Sequence, residues 1–500
     1  MFELLTNEQM RRADALAVSS GVPLLELMEK AGRAVADAVT SSFSTARPLV
    51  VVAGPGNNGG DGFVAARLLD AHGVTVRLML LTERESLAGD AAVMAGRYRG
   101  PVLRWSGEGF DPNSVVIDAL FGAGLARAVD GAAADLIAAI NRSGAYVVAV
   151  DLPSGIHGDS GAVMGTAVRA EHTVTFFRRK PGHLLLPGRT HCGRITVADI
   201  GIPTAVLNSI KPNLSVNDPA IWGQSFPIPQ TSGHKYSRGH AVVLSGELPS
   251  TGAARLAARA ALRAGAGLVT IASPTNAVAV NATSSLAVMV REAQGAEGLS
   301  TLLSDARLNA IVMGPGGGVG AEMRAKVRAA ATGDRALVLD ADALTSFGEN
   351  PKELFTILAN QKLSTAILTP HTGEFSRIFS WMNTIPSVNQ KLEATLAASH
   401  ETGAVVVLKG ADTVVAGPDG RASIANNAPP YLATAGSGDV LAGLIGGLRA
   451  QRMPAFEAAC AAVWLHGEAG NVVGPGLIAE DLSEALPQVY RSLFSTLVPE

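Results

Sequence analysis

Two cysteines, Cys192 and Cys460, are all that the 500 residues carry. They lie far apart with no metal-type spacing, so a disulfide framework is excluded and a reducing compartment is expected. Net charge is also small: 40 Lys and Arg against 43 Asp and Glu leave −3. That removes the electrostatic case for nucleic acid or an anionic membrane as a partner. Long apolar runs are missing. The most apolar stretches, such as Ala366–Leu368 and Val405–Leu408, have strand length, whereas a membrane-spanning helix needs about 20 apolar residues. The start, Met1-Phe2-Glu3-Leu4-Leu5-Thr6-Asn7-Glu8, is neither basic nor a long apolar run. No signal peptide is expected, and the cytoplasm is the expected location. There is no G-x-x-x-x-G-K-[ST], which excludes a P-loop.

What is present is a globular composition, 47% hydrophobic and 17% charged, with 55 glycines. The length implies two or more domains. Residues 6–40 read as helices, with Thr6-Asn7-Glu8-Gln9 as a cap and Leu24, Leu27, Met28, Ala31 and Val35 as an apolar stripe. A buried strand, Leu49–Ala53, enters Gly54-Pro55-Gly56-Asn57-Asn58-Gly59-Gly60-Asp61-Gly62. A helix over 63–72 and a strand over 74–81 are predicted next, a unit of the kind that holds phosphates at a helix start. Gly54, Gly56 and Gly59 fit G-x-G-x-x-G, with Glu83 about twenty residues on, so a dinucleotide turn is one reading. The paired asparagines and the aspartate favour another, a specialised polar pocket. Two further strands end in acids, Asp118 and Asp151, the first followed by the loop 122–128 and the second by Pro153-Ser154-Gly155. Strand C-termini in a parallel sheet share one edge. Asn58, Asp118 and Ser154 are therefore candidates for one oxygen-lined site suited to a hard cation rather than zinc; taken singly, each reads as a loop cap. Arg178, Arg179, Lys180 and His183 make a short basic run, as compatible with a solvated loop as with a ligand contact.

From Pro203 to Gly233 the chain turns polar and proline-rich and reads as a linker without strand or helix periodicity. The alternation then restarts. Strands are expected at 241–244, 268–271, 310–313, 336–339, 366–368 and 405–408. Their ends carry Gly314-Pro315-Gly316, Asp340-Ala341-Asp342, Thr369-Pro370-His371-Thr372-Gly373-Glu374 and Lys409-Gly410-Ala411-Asp412-Thr413. Lys409 can meet a phosphate as a point charge. His371, alone a capping or core histidine, gains a ligand-binding reading beside Glu374. The stretch Thr434-Ala435-Gly436-Ser437-Gly438-Asp439 follows and opens a glycine-rich helix. Glycine N–H groups and the helix's positive end make an anion pocket there, with Asp439 as a base at its rim. Cys460 and Trp464 read as core. The layout is α/β throughout.

The 54–62 nonapeptide, Asp118-Ala-Leu-Phe-Gly, Asp151-Leu-Pro-Ser-Gly and the 180–202 segment resemble the NAD(P)HX epimerase domain. Thr369-Pro-His-Thr-Gly-Glu, Lys409-Gly-Ala-Asp-Thr and Gly436-Ser-Gly-Asp resemble the ADP/ATP-dependent NAD(P)HX dehydratases. Nearly the whole chain is thus similar to the bifunctional nicotinamide nucleotide repair family. The resemblance implies an N-terminal Rossmann-like three-layer sandwich over 1–210, a linker over 211–233 and a C-terminal ribokinase-like α/β domain over 234–500. The first would epimerise R and S forms of hydrated NAD(P)H. The second would dehydrate the S form through a phosphorylated intermediate, at the expense of ADP or ATP with Mg2+. For the epimerase, it implies hydrate binding by Asn57, Asn58, Gly59, Gly60, Asp61, Gly122, Ala123, Gly124, Leu125, Ala126, Arg127, Ala128 and a catalytic Asp151, and a potassium ion on Asn58, Asp118 and Ser154. For the dehydratase, it implies hydrate contacts from Ala253, Gly316, His371 and Asp439, the catalytic base. Lys409, Gly410, Ala411, Asp412, Thr413, Gly436, Ser437 and Gly438 would hold the nucleotide. Small-molecule partners and a homo-oligomer are implied, with no nucleic acid or membrane. Tyr236 stands where the family usually has glycine after His-Lys, and Ser437 where threonine or alanine is usual. The rival reading is a vitamin or sugar kinase fused to a Rossmann-like module; similar N-terminal domains also serve elsewhere as binding modules.

Overall fold

The computed structural model describes residues 2–43, 47–283, 286–361, 365–380 and 390–497. The chain divides into two compact units, Glu3–Leu214 and Ser215–Glu500, with Phe2 going with the second. Among the described residues no helix is long and apolar enough to cross a membrane.

In the first unit the strands are β1 (Glu3–Leu4), β2 (Leu49–Ala53), β3 (Val76–Leu80), β4 (Val102–Arg104), β5 (Val115–Ala119), β6 (Tyr146–Val150), β7 (His172–Phe176) and β8 (Arg194–Ala198). Seven of them form a parallel sheet in the order β4-β3-β2-β5-β6-β7-β8. Runs such as Leu49-Val50-Val51-Val52-Ala53 are buried on both faces, as parallel strands require. Val51 and Ile117 face the helices Leu24–Ser42 and Asn57–Ala71. Val50 and Val116 face the helix Gly131–Arg142. The result is a three-layer sandwich. The strand order reverses between β2 and β5, so the loops leaving these strands part to opposite faces and leave a crevice between them. Thr6 closes the expected capping box with Gln9 and starts the helix Asn7–Ser19.

One expectation is corrected by packing. The helix predicted from Phe63 begins at Asn57, inside the glycine stretch. A Cβ on Gly59 would stand 1.9 Å from Gly54 O, and one on Gly60 would stand 2.6 Å from Met28 Sδ. These glycines let the helix lie against β2 and the helix Leu24–Ser42. Tertiary contact outweighs their cost to the helix, about 1 kcal/mol each.

The second unit carries β9 (Leu214–Val216, starting on the first unit's last residue), β10 (His240–Leu244), β11 (Leu268–Ser273), β12 (Met289–Glu292), β13 (Ala310–Met313), β14 (Ala336–Leu339), β15 (Ile367–Leu368), β16 (Val405–Leu408), β17 (Val414–Ala416) and β18 (Ala422–Ile424). Their order is β9-β18-β17-β16-β15-β14-β13-β10-β11-β12. The strands from β16 through β12 run parallel, and β17 and β18 add an antiparallel edge. The switch point lies at β10, between β11 and β13. Helix Ser437–Ala450 crosses helix Gly252–Arg263 closely. Cβ atoms on Gly443 and Gly447 would meet the carbonyls of Ala257 and Ala261 at 2.2 and 2.4 Å.

The proposed linker is not structureless. Residues 206–210 and 219–222 are helical and 214–216 form β9. Trp222 is 1% exposed within the second unit's core. Its Nε1 donates to Asn217 Oδ1 at 3.2 Å, and Asn217 Nδ2 donates to Cys460 O at 2.8 Å. Prolines and polar residues mark the turns here, while Trp222 and Phe226 do the packing.

Candidate active sites

In the first unit a cavity of about 690 Å³ opens at the β2/β5 crevice. It is lined by Asn57, Asn58, Asp61, Gly122, Ala123, Gly124, Leu125, Ala126, Arg127 and Asp151 from the expected set. Gly59 and Gly60 are absorbed by packing and Ala128 lies outside the lining.

Asp151 leaves β6 with φ 66, a left-handed conformation rare for a non-glycine residue. Lys180 Nζ donates to its Oδ1 at 2.5 Å and Thr175 Oγ1 at 3.0 Å, while Ala123 N–H donates to Oδ2 at 3.1 Å. Burial alone would raise this carboxyl. The Lys180 ammonium and the hydrogen bonds outweigh burial and hold it below the usual carboxylate range. His183 Nδ1 accepts from Lys180 N–H at 2.9 Å, which leaves Nε2 to donate to Asp151 O at 2.8 Å. Burial first, then Lys180, push this histidine down to about 4, so it is neutral. The basic run is therefore no solvated loop: Lys180 and His183 are buried, and Arg178 is buried against Glu3. Lys180 was legible only as one of several cations; its pairing with Asp151 is tertiary.

Deeper in the sheet edge, Ser154 Oγ donates to Asp118 Oδ1 at 2.5 Å and Ser154 N–H to Oδ2 at 2.8 Å. Phe121 N–H donates to Ser154 Oγ at 2.8 Å. Burial pushes Asp118 up to about 6 against these hydrogen bonds. Asn58 Oδ1 and Asp151 Oδ2 both face Gly122, where a Cβ would stand 2.8 and 3.3 Å from them. Asn58 Nδ2 is buried with no partner among the described residues. Asp14, on the helix Asn7–Ser19, also lines the cavity. Sequence reading missed it, because nothing local ties an aspartate in the first helix to a strand end beyond residue 150.

In the second unit the strand ends converge as expected. Lys409, after β16, donates to Asp340 Oδ1 at 2.6 Å, after β14, and lies 4.0 Å from Glu374 Oε2. Gly436 takes φ 82 and caps the helix Ser437–Ala450, which puts Asp439 in its first turn. A Cβ on Gly438 would lie 3.5 Å from Lys409 Nζ. Burial, then repulsion from Asp340, pushes Asp439 up to about 6, Lys409 pulling the other way and Asp342 adding to the rise. Ser437 Oγ lies 3.1 Å from His466 Nε2. Burial pushes His466 down to about 4, so it is a neutral support.

His371 is both a cap and an exposed group. Its Nδ1 accepts from Gly373 N–H at 2.9 Å, and Glu374 Oε2 accepts from His371 N–H at 2.8 Å. Its side chain is 58% exposed. Gly316 takes φ 63, beside Ser250 and Ala253. In the loop after β16, Thr413 Oγ1 donates to Gly410 O at 2.7 Å and accepts from Gly410 N–H at 3.1 Å, while Asp412 turns to Lys391 at 2.6 Å. Among the described residues no three His, Cys, Asp or Glu side chains are grouped to hold a metal by themselves.

Residues 241–488 match the family model described as NAD(P)H-hydrate dehydratase. Residues 24–182 match that described as YjeF-related protein N-terminus. The bifunctional NAD(P)H-hydrate repair enzyme of Coxiella burnetii is 35% identical over 493 residues, covering 96% of this chain and 98% of its own. That of Escherichia coli is 33% identical over 487 residues, covering 94% and 90%. Among solved structures, the ADP/ATP-dependent NAD(P)H-hydrate dehydratase from Bacillus subtilis, co-crystallised with ATP and Mg2+, is 27% identical. It covers 55% of this chain and 98% of that one, with a TM-score of 0.48.

Proposed function

The chain belongs to the bifunctional NAD(P)H-hydrate repair enzymes, and we propose that its two units divide the repair between them. Hydrated NAD(P)H carries a hydroxyl on a saturated ring carbon and exists as R and S forms. The first unit exchanges the two in the cavity beside Asp151. The second binds the S form and ADP or ATP, moves a phosphoryl group to the hydroxyl, and releases NAD(P)H as phosphate and a ring proton leave.

The observation that carries this reading is the setting of Asp439. It sits in the first turn of a glycine-capped helix, beside the Lys409–Asp340 pair. A helix start with open N–H groups suits a terminal phosphate, and Lys409 adds a point charge. Asp439 takes the hydroxyl proton as the phosphoryl group transfers. Exposed His371, with Gly316 and Ala253, is assigned to the hydrate; Gly410, Ala411 and Thr413 are assigned to the nucleotide with Gly436, Ser437 and Gly438. Asp412, held by Lys391, shapes that loop.

Asn58, Asp118 and Ser154 fit a potassium ion. They are hard oxygen donors around a buried carboxylate. The unpartnered Asn58 amide supports the same reading, because its oxygen and nitrogen can exchange places by a flip. Bound there, the cation would neutralise Asp118 and brace the Phe121–Gly122 turn. Magnesium in the second unit would arrive with the nucleotide's phosphates, supplying charge neutralisation there. Asp340 and Asp342 are the oxygen donors nearest in effect to Asp439. Purified S hydrate with Mg2+ should give the absorbance of NADH only when ADP or ATP is added. A stable phosphorylated product instead of NADH would show a kinase.

A further inference from the structure

We propose that Asp14 is the second acid–base group of the first unit's cavity, moving a proton to and from the ring nitrogen of the hydrate while Asp151 serves its hydroxyl. This rests on the reading of that unit as the epimerase.

The helix Asn7–Ser19 presents Asn7, Met10, Arg11 and Asp14 to the cavity. The spacing 7, 10, 11, 14 is one face of a helix. Among the described residues nothing hydrogen-bonds the Asp14 carboxyl, so it neither caps a helix nor closes an ion pair. Asp151 differs: Lys180, Thr175 and the Ala123 N–H fix it in place. The charged groups that line the cavity with Asp14 are Asp61 on helix Asn57–Ala71, Arg127 after β5, Asp151 after β6 and Lys180 after β7, with Arg11 on its own helix. Burial pushes Asp14 up to about 6, with Lys180 lowering and Asp151 raising it. Burial first, then Asp151 and Asp14, push the Asp61 carboxyl well above the usual carboxylate range, with Lys180 pulling the other way. One carboxyl held ionised and a second that exchanges its proton near neutrality form an acid–base pair.

The hydrate's inverted carbon bears both a hydroxyl and the ring nitrogen. Asp151 takes the hydroxyl proton. The oxygen's electron pair closes a carbonyl as the carbon–nitrogen bond breaks onto nitrogen, which takes the proton of Asp14. The freed aldehyde arm rotates about its carbon–carbon bond. Nitrogen then attacks the other face and returns its proton to Asp14, and the oxygen takes back the proton from Asp151. No water or other reactant is consumed.

The test follows R/S exchange in the full-length protein by chromatography, across pH, for wild type, Asp14→Asn and Asp14→Glu. The first unit's melting transition in the same samples is the folding control, and dehydration of the S form shows that the second unit is untouched. Asp14→Asn should lower the kcat of exchange about 100-fold with little change in KM. It should also remove the wild type's fall in rate as pH rises above about 6, while Asp14→Glu restores both rate and profile. Two results overturn the proposal: exchange by Asp14→Asn within about twofold of wild type, or a loss confined to KM with the profile kept. Wild-type protein that leaves R and S unexchanged overturns the epimerase reading along with it.

Discussion

Asp439 holds its charge against burial and two neighbouring carboxylates, and this fixes how the dehydration half responds to pH. Its carboxyl is pushed up to about 6, and a base must be ionised to act. Turnover of S hydrate should therefore fall tenfold per unit as pH drops below about 6. Asp439→Asn should keep nucleotide affinity and lose about 10²–10⁴ in kcat; near-normal turnover would remove the assignment. Asp118 gives a second test. Its folded value of about 6 lies above the ordinary 3.8, so the folded state binds this proton more tightly than the unfolded chain does. Stability is full below pH ~4 and falls as pH rises through 6, by about 3 kcal/mol if the charge stays unneutralised. A bound cation offsets that fall. Potassium chloride should raise the first unit's melting temperature over equal tetramethylammonium chloride at pH 7.5 and do little at pH 5. Equal effects at both pH values would contradict the cation site.

At the scale of elements, glycine means different things in different helices. Gly443 lies where a Cβ would stand 2.2 Å from Ala257 O, a backbone atom that cannot swing aside. Alanine's intrinsic helix gain of about 1 kcal/mol is outweighed by overpacking, which costs about 1–3 kcal/mol or more. Gly443→Ala should lower the second unit's melting temperature. Gly96, in the helix Gly89–Arg97, has nothing within 4 Å of an added Cβ. Gly96→Ala should raise the first unit's; the same sign in both would refute the packing account. The contrast also shows what the chain made legible. Strand ends at Asp118, Asp151, Asp340 and Lys409 were readable because a short apolar run followed by a charged residue is a local signal. The helix start at Asn57 was not, since its glycines answer to Gly54 and Met28. Nor were Lys180 and Asp14, whose roles arise only when distant segments meet Asp151. The segment 215–226 looked like linker because prolines and polar residues are counted locally, whereas the burial of Trp222 is tertiary.

For the whole molecule, that segment decides where the chain can be cut. A piece beginning at residue 225 lacks Trp222 and Asn217, and loss of a buried tryptophan costs about 3–5 kcal/mol. Residues 1–214 and 215–500 should each fold when expressed alone, while 225–500 should melt lower or aggregate; equal stability of the two C-terminal pieces would contradict this. Every proposed ligand of each reaction lies within one unit, so the two activities should separate with the pieces and recombine on mixing. The most direct measurement starts from purified R hydrate, with ADP and Mg2+, and follows NADH absorbance beside chromatography of both epimers. Wild type should convert R to NADH with S as a transient. Asp151→Ala should leave R to its spontaneous epimerisation while consuming added S at the wild-type rate. Conversion of R by Asp151→Ala as fast as by wild type, or wild-type protein that consumes S and leaves R, would contradict two linked activities in one chain.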